Sequence, residues 1–387
     1  MSDGAVNSPG TILIIGGYGA FGSRLARRLD AAGHALLIAG RNLDAAAALC
    51  GELRRAEPLL VDRQRGFGLV LARARPALVI DAAGPFQASD YAVAEACIAM
   101  RIPYIDLSDG RDFVTGIGVL DKAAKAAGVA IITGASSVPA LSGAVARELA
   151  AGLDDVDAVD MLIVTSNRAS AGVSVARSIL SYVGKPMRLW SGADWVRHYG
   201  WQDLRRITVA LPGVAPLQRR LVANADVPDL DLMPAMLPGR PAVRFQAGTE
   251  LTVQMLALWL LSWPVRWRWV RSLEPLATLL MPLYRVMLRF GGDRSAMEVR
   301  VRAGPVERVW TLIADAGDGP EIPTMAAELI AAAILAGEAA PGARDAGREL
   351  TLAQFAPLFA RFAIHTYVAT PIVTDKGGRK QVQIRAS

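Results

Sequence analysis

Within Gly16-Gly17-Tyr18-Gly19-Ala20-Phe21-Gly22, the residues Gly17, Gly19 and Gly22 keep the spacing G-x-G-x-x-G. That spacing lets bare main-chain N–H groups approach a diphosphate. Gly17 suits the turn from strand to helix, Gly19 the close approach of backbone to phosphate, and Gly22 the packing of the helix on the strand. A side chain at Gly19 would stand in the place of the anion. Tyr18, Ala20 and Phe21 lie between the glycines, where N–H groups at a helix start face an anion. A second constellation, Ala39-Gly40-Arg41-Asn42, contains no carboxylate to receive a ribose 2′-hydroxyl. Arg41 would attract a 2′-phosphate instead, with Asn42 beside it, so the pattern favours NADP over NAD. The competing reading of Arg41 is a solvated arginine at a helix start.

Further groups fall where apolar runs end. Asp62 follows Leu59 to Val61, and Ala82-Ala83-Gly84-Pro85-Phe86 follows Asp81. Small residues there admit a ligand to the backbone and the proline stiffens the turn. Ala83, Gly84, Pro85 and Phe86, with Asp62, are therefore expected to touch the dinucleotide. Asp106-Leu107-Ser108-Asp109-Gly110 and Gly134-Ala135-Ser136-Ser137-Val138-Pro139 place hydroxyls and carboxylates near the expected nicotinamide. Ser108 and Asp109 are candidates for proton transfer beside a hydride acceptor. Capping of a helix around Asp112 competes with that role. His198 and Tyr199, flanked by Trp195 and Trp201, are the other catalytic candidates, against the reading of a histidine packed among aromatics. His34 reads as structural, and His365 has no recognisable partner. No histidine, cysteine or carboxylate cluster has metal-ligand spacing, and no Gly-x-Ser-x-Gly elbow supports hydrolysis.

The elements required to hold these groups follow the same order. Thr11 to Ile15 is an apolar β-branched run of the kind covered on both faces in a parallel sheet. Leu25, Ala26, Leu29 and Ala32 keep helical spacing before Gly33. Ala35 to Ala39, Leu59 to Val61, Ala77 to Ile80, Tyr104 to Leu107 and Val129 to Ile132 continue the strands. Between them, Leu43, Ala46, Ala47, Cys50 and Leu53 share one helical face, as do Tyr91, Ala94, Cys97 and Ile98. The expected fold class is α/β: a Rossmann doubly wound parallel sheet, plus a second α/β domain with a mixed or antiparallel sheet. The boundaries are 1–145 for the dinucleotide domain, 146–318 for a substrate or dimerisation domain, and 338–387 for a C-terminal tail. In the second domain Ala158 to Thr165, Ala296 to Arg302 and Val306 to Ala314 read as strands, and Leu211 to Pro216 and Val227 to Pro241 as loops.

The chain has 387 residues, of which 52% are apolar and 20% charged, and a formal charge of +6. It carries no dense basic face for nucleic acid. Cys50 and Cys97 sit in Ala-rich helices and read as buried thiols of a reducing compartment. The polar start lacks a secretory signal, so a cytoplasmic protein is expected. Within an apolar insert at 252–290, Met255 to Val265 is about half the ~20 residues that cross a bilayer. Its tryptophans, with Arg266, Arg268, Arg271, Arg285 and Arg289, suit peripheral membrane contact through 255–289 or a lipid-like substrate. The competing reading is packing within the chain or in a homodimer.

The quoted segments, together with Tyr104 to Asp109 and Gly134 to Ser142, resemble the saccharopine dehydrogenase-like family over about the first 145 residues. The resemblance implies a Rossmann domain, a second domain with a mixed sheet, and a late helix at about 319–337 that returns to the first. It also implies closure over the cofactor. Relatives act on C–N bonds formed from amino acids, and others are linked to lipid enoyl reduction. The expected activity is NADP-dependent hydride transfer to or from a C=N, C=C or C=O bond of a small molecule. The rival is a non-catalytic NADP-binding or redox-sensing protein.

Overall fold

The computed structural model describes residues 10–168, 172–374 and 380–382. They fall into two compact units, one of 1–141 with 320–350 and one of 142–319 with 351–387.

The first unit is built on a parallel sheet. Its strands are β1 (Ile12–Ile15), β2 (Leu36–Gly40), β3 (Ala56–Leu60), β4 (Leu78–Asp81), β5 (Tyr104–Asp106) and β6 (Ala130–Thr133). Helices α1 (Gly22–Ala31), α2 (Leu43–Cys50), α3 (Phe67–Ala74), α4 (Ala92–Ala99), α5 (Arg111–Gly116) and α6 (Asp121–Ala127) connect them. From one edge the strand order is Gly342–Asp345, β6, β5, β4, β1, β2, β3. The order reverses beside β1, and ligands of such sheets lie there, outside the carboxyl ends. Ile12 to Ile15 are all buried, as helices on both faces require.

Three expectations need correction in this unit. β3 begins at Ala56, before Leu59, because an edge strand covered on one side has no continuous apolar run and tolerates Pro58. On α2 the buried residues are Ala46 and Leu49; Leu43 and Ala47 face outward, and the helix ends at Cys50, short of Leu53. Cys50 is accordingly half-buried, whereas Cys97 is fully buried. Burial raises both thiol pKa values, that of Cys50 to about 11.

The described residues of 338–387 are not a tail. Gly342–Asp345 extends the parallel sheet beside β6, in register Gly342↔Ala130 to Asp345↔Thr133. With two charged residues in four, that strand carries no hydrophobic period. The helix Ile322–Leu335, opened by the turn Gly319–Glu321, packs on α1. Arg28 reaches Glu321 at 2.6 Å and Glu328 at 2.6 Å and also bonds Thr324, while Arg24 pairs with Glu321.

The second unit has an eight-stranded mixed sheet. Ala242–Thr249 and Ala158–Thr165 run parallel, and the other pairings are antiparallel, including those of Ile364–Thr374 with Val306–Ala314 and with Lys380–Val382. Pro186–Trp190 and Trp195–Tyr199 form a separate hairpin. Two segments expected as loops are partly ordered otherwise. Leu211 to Pro216 is the tight connection of two paired strands, and Asp229–Met236 is a helix despite Pro234.

Candidate functional site

The glycine-rich turn follows β1 directly. Its left-handed residue is Gly16, with φ of 70°, and not Gly17, to which the sequence reading assigned the turn. A Cβ on Gly16 would come within 2.9 Å of Ala83, so this turn and the loop after β4 lie in contact. Gly22 also differs from expectation. A Cβ there would meet the Gly16 carbonyl oxygen at 2.2 Å and Gly17 Cα at 2.8 Å. Its hydrogen therefore brings the start of α1 onto the turn itself.

The N–H groups of Gly17, Gly19 and Ser23 donate to Ile14, Gly16 and Gly19 carbonyls. Among the described residues those of Ala20, Phe21 and Gly22 have no internal acceptor. They form an open cradle at a helix start, with the partial positive charge that suits an anion. Tyr18 leans over the tip of β2: its hydroxyl accepts from Asn42 N–H at 3.0 Å, and a Cβ on Gly40 would strike it at 2.5 Å. Asn42 caps α2 by accepting from Ala45 N–H at 3.0 Å. Arg41 is exposed at that tip and has no ion-pair partner among the described residues. Asp62 accepts from Gln64 N–H at 3.0 Å and so closes the turn after β3.

The loop after β4 is organised by a residue that sequence reasoning passed over. Arg63 donates to Asp81 Oδ2 at 3.3 Å, the Pro85 carbonyl at 3.4 Å and the Ser89 hydroxyl at 3.2 Å, and its guanidinium lies 5.5 Å from the Phe86 ring centre. Asp81 also accepts from Ala83 N–H at 2.9 Å. Phe86 is buried against Phe113, so its ring is a foundation for the loop. Ala83 and Gly84 remain the small residues of this loop. Burial raises the Asp81 pKa, and Arg63 opposes the rise. Arg63→Met should therefore loosen the loop and weaken dinucleotide binding several-fold, measured by fluorescence titration with NADPH. Its melting temperature should fall further below wild type at pH 8 than at pH 5. An unchanged Kd would mean that the loop holds its own shape.

The next two loops are joined by Asp106, fully buried at the end of β5. One carboxylate oxygen accepts from Ser108 N–H at 3.0 Å, Thr133 Oγ1–H at 2.8 Å and Gly134 N–H at 2.9 Å. The other has no hydrogen-bond partner among the described residues. Burial outweighs the three donors and lifts the pKa to about 7, with further upward pressure from Asp81, its neighbour across the strands. Tyr104, buried two residues earlier on the same face, is pushed well above the usual tyrosine range by burial and by both carboxylates.

Ser108 is buried and its hydroxyl accepts from Gly110 N–H at 3.1 Å, just before α5. That contact gives its oxygen a structural role in the turn before α5. Asp109 is exposed and accepts from Gln87 at 2.9 Å, which links the loops after β5 and β4. Thus the residues from Gly16 to Gly22, Ala83, Gly84, Gln87 and Asp109 adjoin at the carboxyl ends of β1, β4 and β5. Asp106 and Arg63 support them from beneath. Their only sequence signal is a charged residue at or just after the end of an apolar strand.

His198 and Tyr199 belong to the second unit, on the hairpin strand Trp195–Tyr199. His198 Nδ1 lies 3.1 Å from Asp203 Oδ2, which also accepts from Asn224 at 2.6 Å. Arg266 stacks on the Tyr199 ring at 4.4 Å. His365, expected to lack a partner, lies 3.5 Å from Asp315.

Residues 12–132 match the family described as saccharopine dehydrogenase NADP binding domain. No curated protein matches the chain. Among solved structures it is similar to an amine dehydrogenase from Mycobacterium smegmatis, with a TM-score of 0.51 and 11% identity over 89% of this chain and 96% of that one. A WlbA dehydrogenase from Thermus thermophilus, in complex with NAD and UDP-GlcNAcA, gives 0.40 at 12% identity, covering 85% and 89%. The MviM dehydrogenase from Clostridium difficile gives 0.40 at 6% identity, covering 85% and 90%. At 11% identity the likeness to the amine dehydrogenase is one of fold alone.

Proposed function

We propose that this chain, a Rossmann oxidoreductase whose residues 12–132 belong to the saccharopine dehydrogenase NADP-binding domain family, works with NADP(H) on a small-molecule substrate. The observation that carries the reading is the cradle of N–H groups at Ala20, Phe21 and Gly22, with Arg41 at the neighbouring strand tip, none of which has a partner among the described residues. The residues fit the group: Gly22 lets the start of α1 close onto the turn so that the N–H groups converge, and Ala83 and Gly84 leave the adjacent backbone approachable. Bound there, a nicotinamide supplies or receives hydride at a C=N, C=C or C=O bond.

The chain's own part is to bind, orient and move a proton. Asp109 is the candidate for the last task in the first unit, because it is exposed where ligands of such sheets lie. His198, with Asp203 beside it, is the candidate in the second. Titration calorimetry on the folded chain should register NADPH binding, and Gly22→Ala should weaken it by about tenfold or more, since the methyl group must displace turn backbone. If wild type shows no heat with either nucleotide, or if Gly22→Ala binds as wild type does, the cradle is not the site.

A further inference from the structure

The insert 252–290 places an unusual surface on the second unit. Thr252–Arg266 is a helix whose residues up to Val265 are all uncharged. One side, with Met255, Ser262 and Val265, packs into the unit. The opposite side carries Val253, Leu256 and Leu260 at helical spacing, all exposed, where a water-facing helix would present polar groups. Of the eighteen large apolar side chains exposed among the described residues, ten fall between Val253 and Phe290. Trp269 is 75% exposed, Leu279 74% and Phe290 61%.

The indoles form a continuous series. Trp259 and Trp263 are 5.9 Å apart, Trp263 and Trp267 5.3 Å, and Trp267 and Trp269 5.0 Å. The series runs out from the helix to an exposed turn, where Arg268 and Arg271 flank Trp269. Among the described residues no helix is long and apolar enough to cross a membrane.

We infer that this face is a docking surface for an anionic lipid bilayer, against which the insert lies flat. Two observations select that occupant. Indoles beside guanidiniums suit the boundary between headgroups and acyl chains, where the ring enters the apolar side and the charge meets phosphate. The segment also holds five arginines against the single Glu274. A contact with a second copy would bring two arginine-bearing patches together without an acidic counterpart. A sheet of anionic headgroups complements the patch and draws it in.

Flotation of the full chain tests this. It should float with vesicles of phosphatidylcholine containing about one-third phosphatidylglycerol and remain behind with phosphatidylcholine alone, and about 0.5 M NaCl should reduce recovery strongly. Trp267→Ser with Trp269→Ser should weaken binding about tenfold. Arg268→Glu with Arg271→Glu, confined to an exposed turn, should weaken it at least tenfold with an unchanged melting temperature. The inference fails if wild type does not float with the anionic vesicles, or if both double variants float as wild type does. It fails equally if wild type is a dimer that the tryptophan variant dissociates, because a second copy then covers the face. NADPH calorimetry on the same preparation is independent of each outcome.

Discussion

Arg41→Asp should lose NADPH affinity on the order of a hundredfold while NADH affinity holds or rises. The guanidinium stands exposed at the tip of β2, and no carboxylate among the described residues neutralises it. A charge-assisted hydrogen bond to a phosphate is worth ~2–3 kcal/mol, which is on the order of a hundredfold in Kd. Reversing the charge removes that bond and repels the phosphate. The new carboxylate can instead receive a ribose 2′-hydroxyl, which only NADH offers. Calorimetric titration with both nucleotides measures the ratio. An equal loss for both would assign Arg41 a role in holding the tip of β2 and would withdraw the preference for NADP.

Asp106→Asn should melt above wild type by a margin that grows from pH 5 to pH 8.5, where it reaches several degrees. The carboxyl pKa is raised from 3.8 to about 7 by burial, so the fold holds this proton more tightly than the unfolded chain does. The stabilisation is complete below the unfolded value and is lost as pH rises through about 7. A shift of this size corresponds to at most ~4 kcal/mol, and each kcal/mol moves the melting point of a large domain by about 2–4 °C. Asparagine keeps one oxygen for the Ser108, Thr133 and Gly134 donors and sets its amide where the second oxygen has no partner. Because the same donors shape two strand-end loops, the variant should retain nucleotide binding. If Asp106→Asn is equally destabilised at both pH values, the ionised carboxylate is part of the fold and the argument from burial fails.

Local order made much of the dinucleotide unit legible. Strand, glycine turn, helix and strand succeed one another in the chain, and Ile12 to Ile15 can be nothing but a covered strand. The returning helix was expected from the resemblance, and its Ala326 and Ile330, one turn apart, are buried. Edge strands such as Ala56–Leu60 and Gly342–Asp345 were not, because each is defined by the neighbour it pairs with and not by its own pattern. Catalytic candidates chosen by residue type carried no information on environment: Ser108 is buried and its oxygen accepts from Gly110 N–H.

The sequence by itself determined where an anion can meet bare backbone and which cation stands nearby, since both lie within one stretch from β1 to the tip of β2. Only the tertiary structure decided that Gly16 makes the turn, that Arg63 braces the loop after β4 and that Asp106 ties two loops together. Those roles depend on burial and on contacts between distant segments, such as the 28 residues that separate Asp106 from Gly134. A carboxyl group's environment is set by whatever closes over it, and that is not written in its neighbours along the chain.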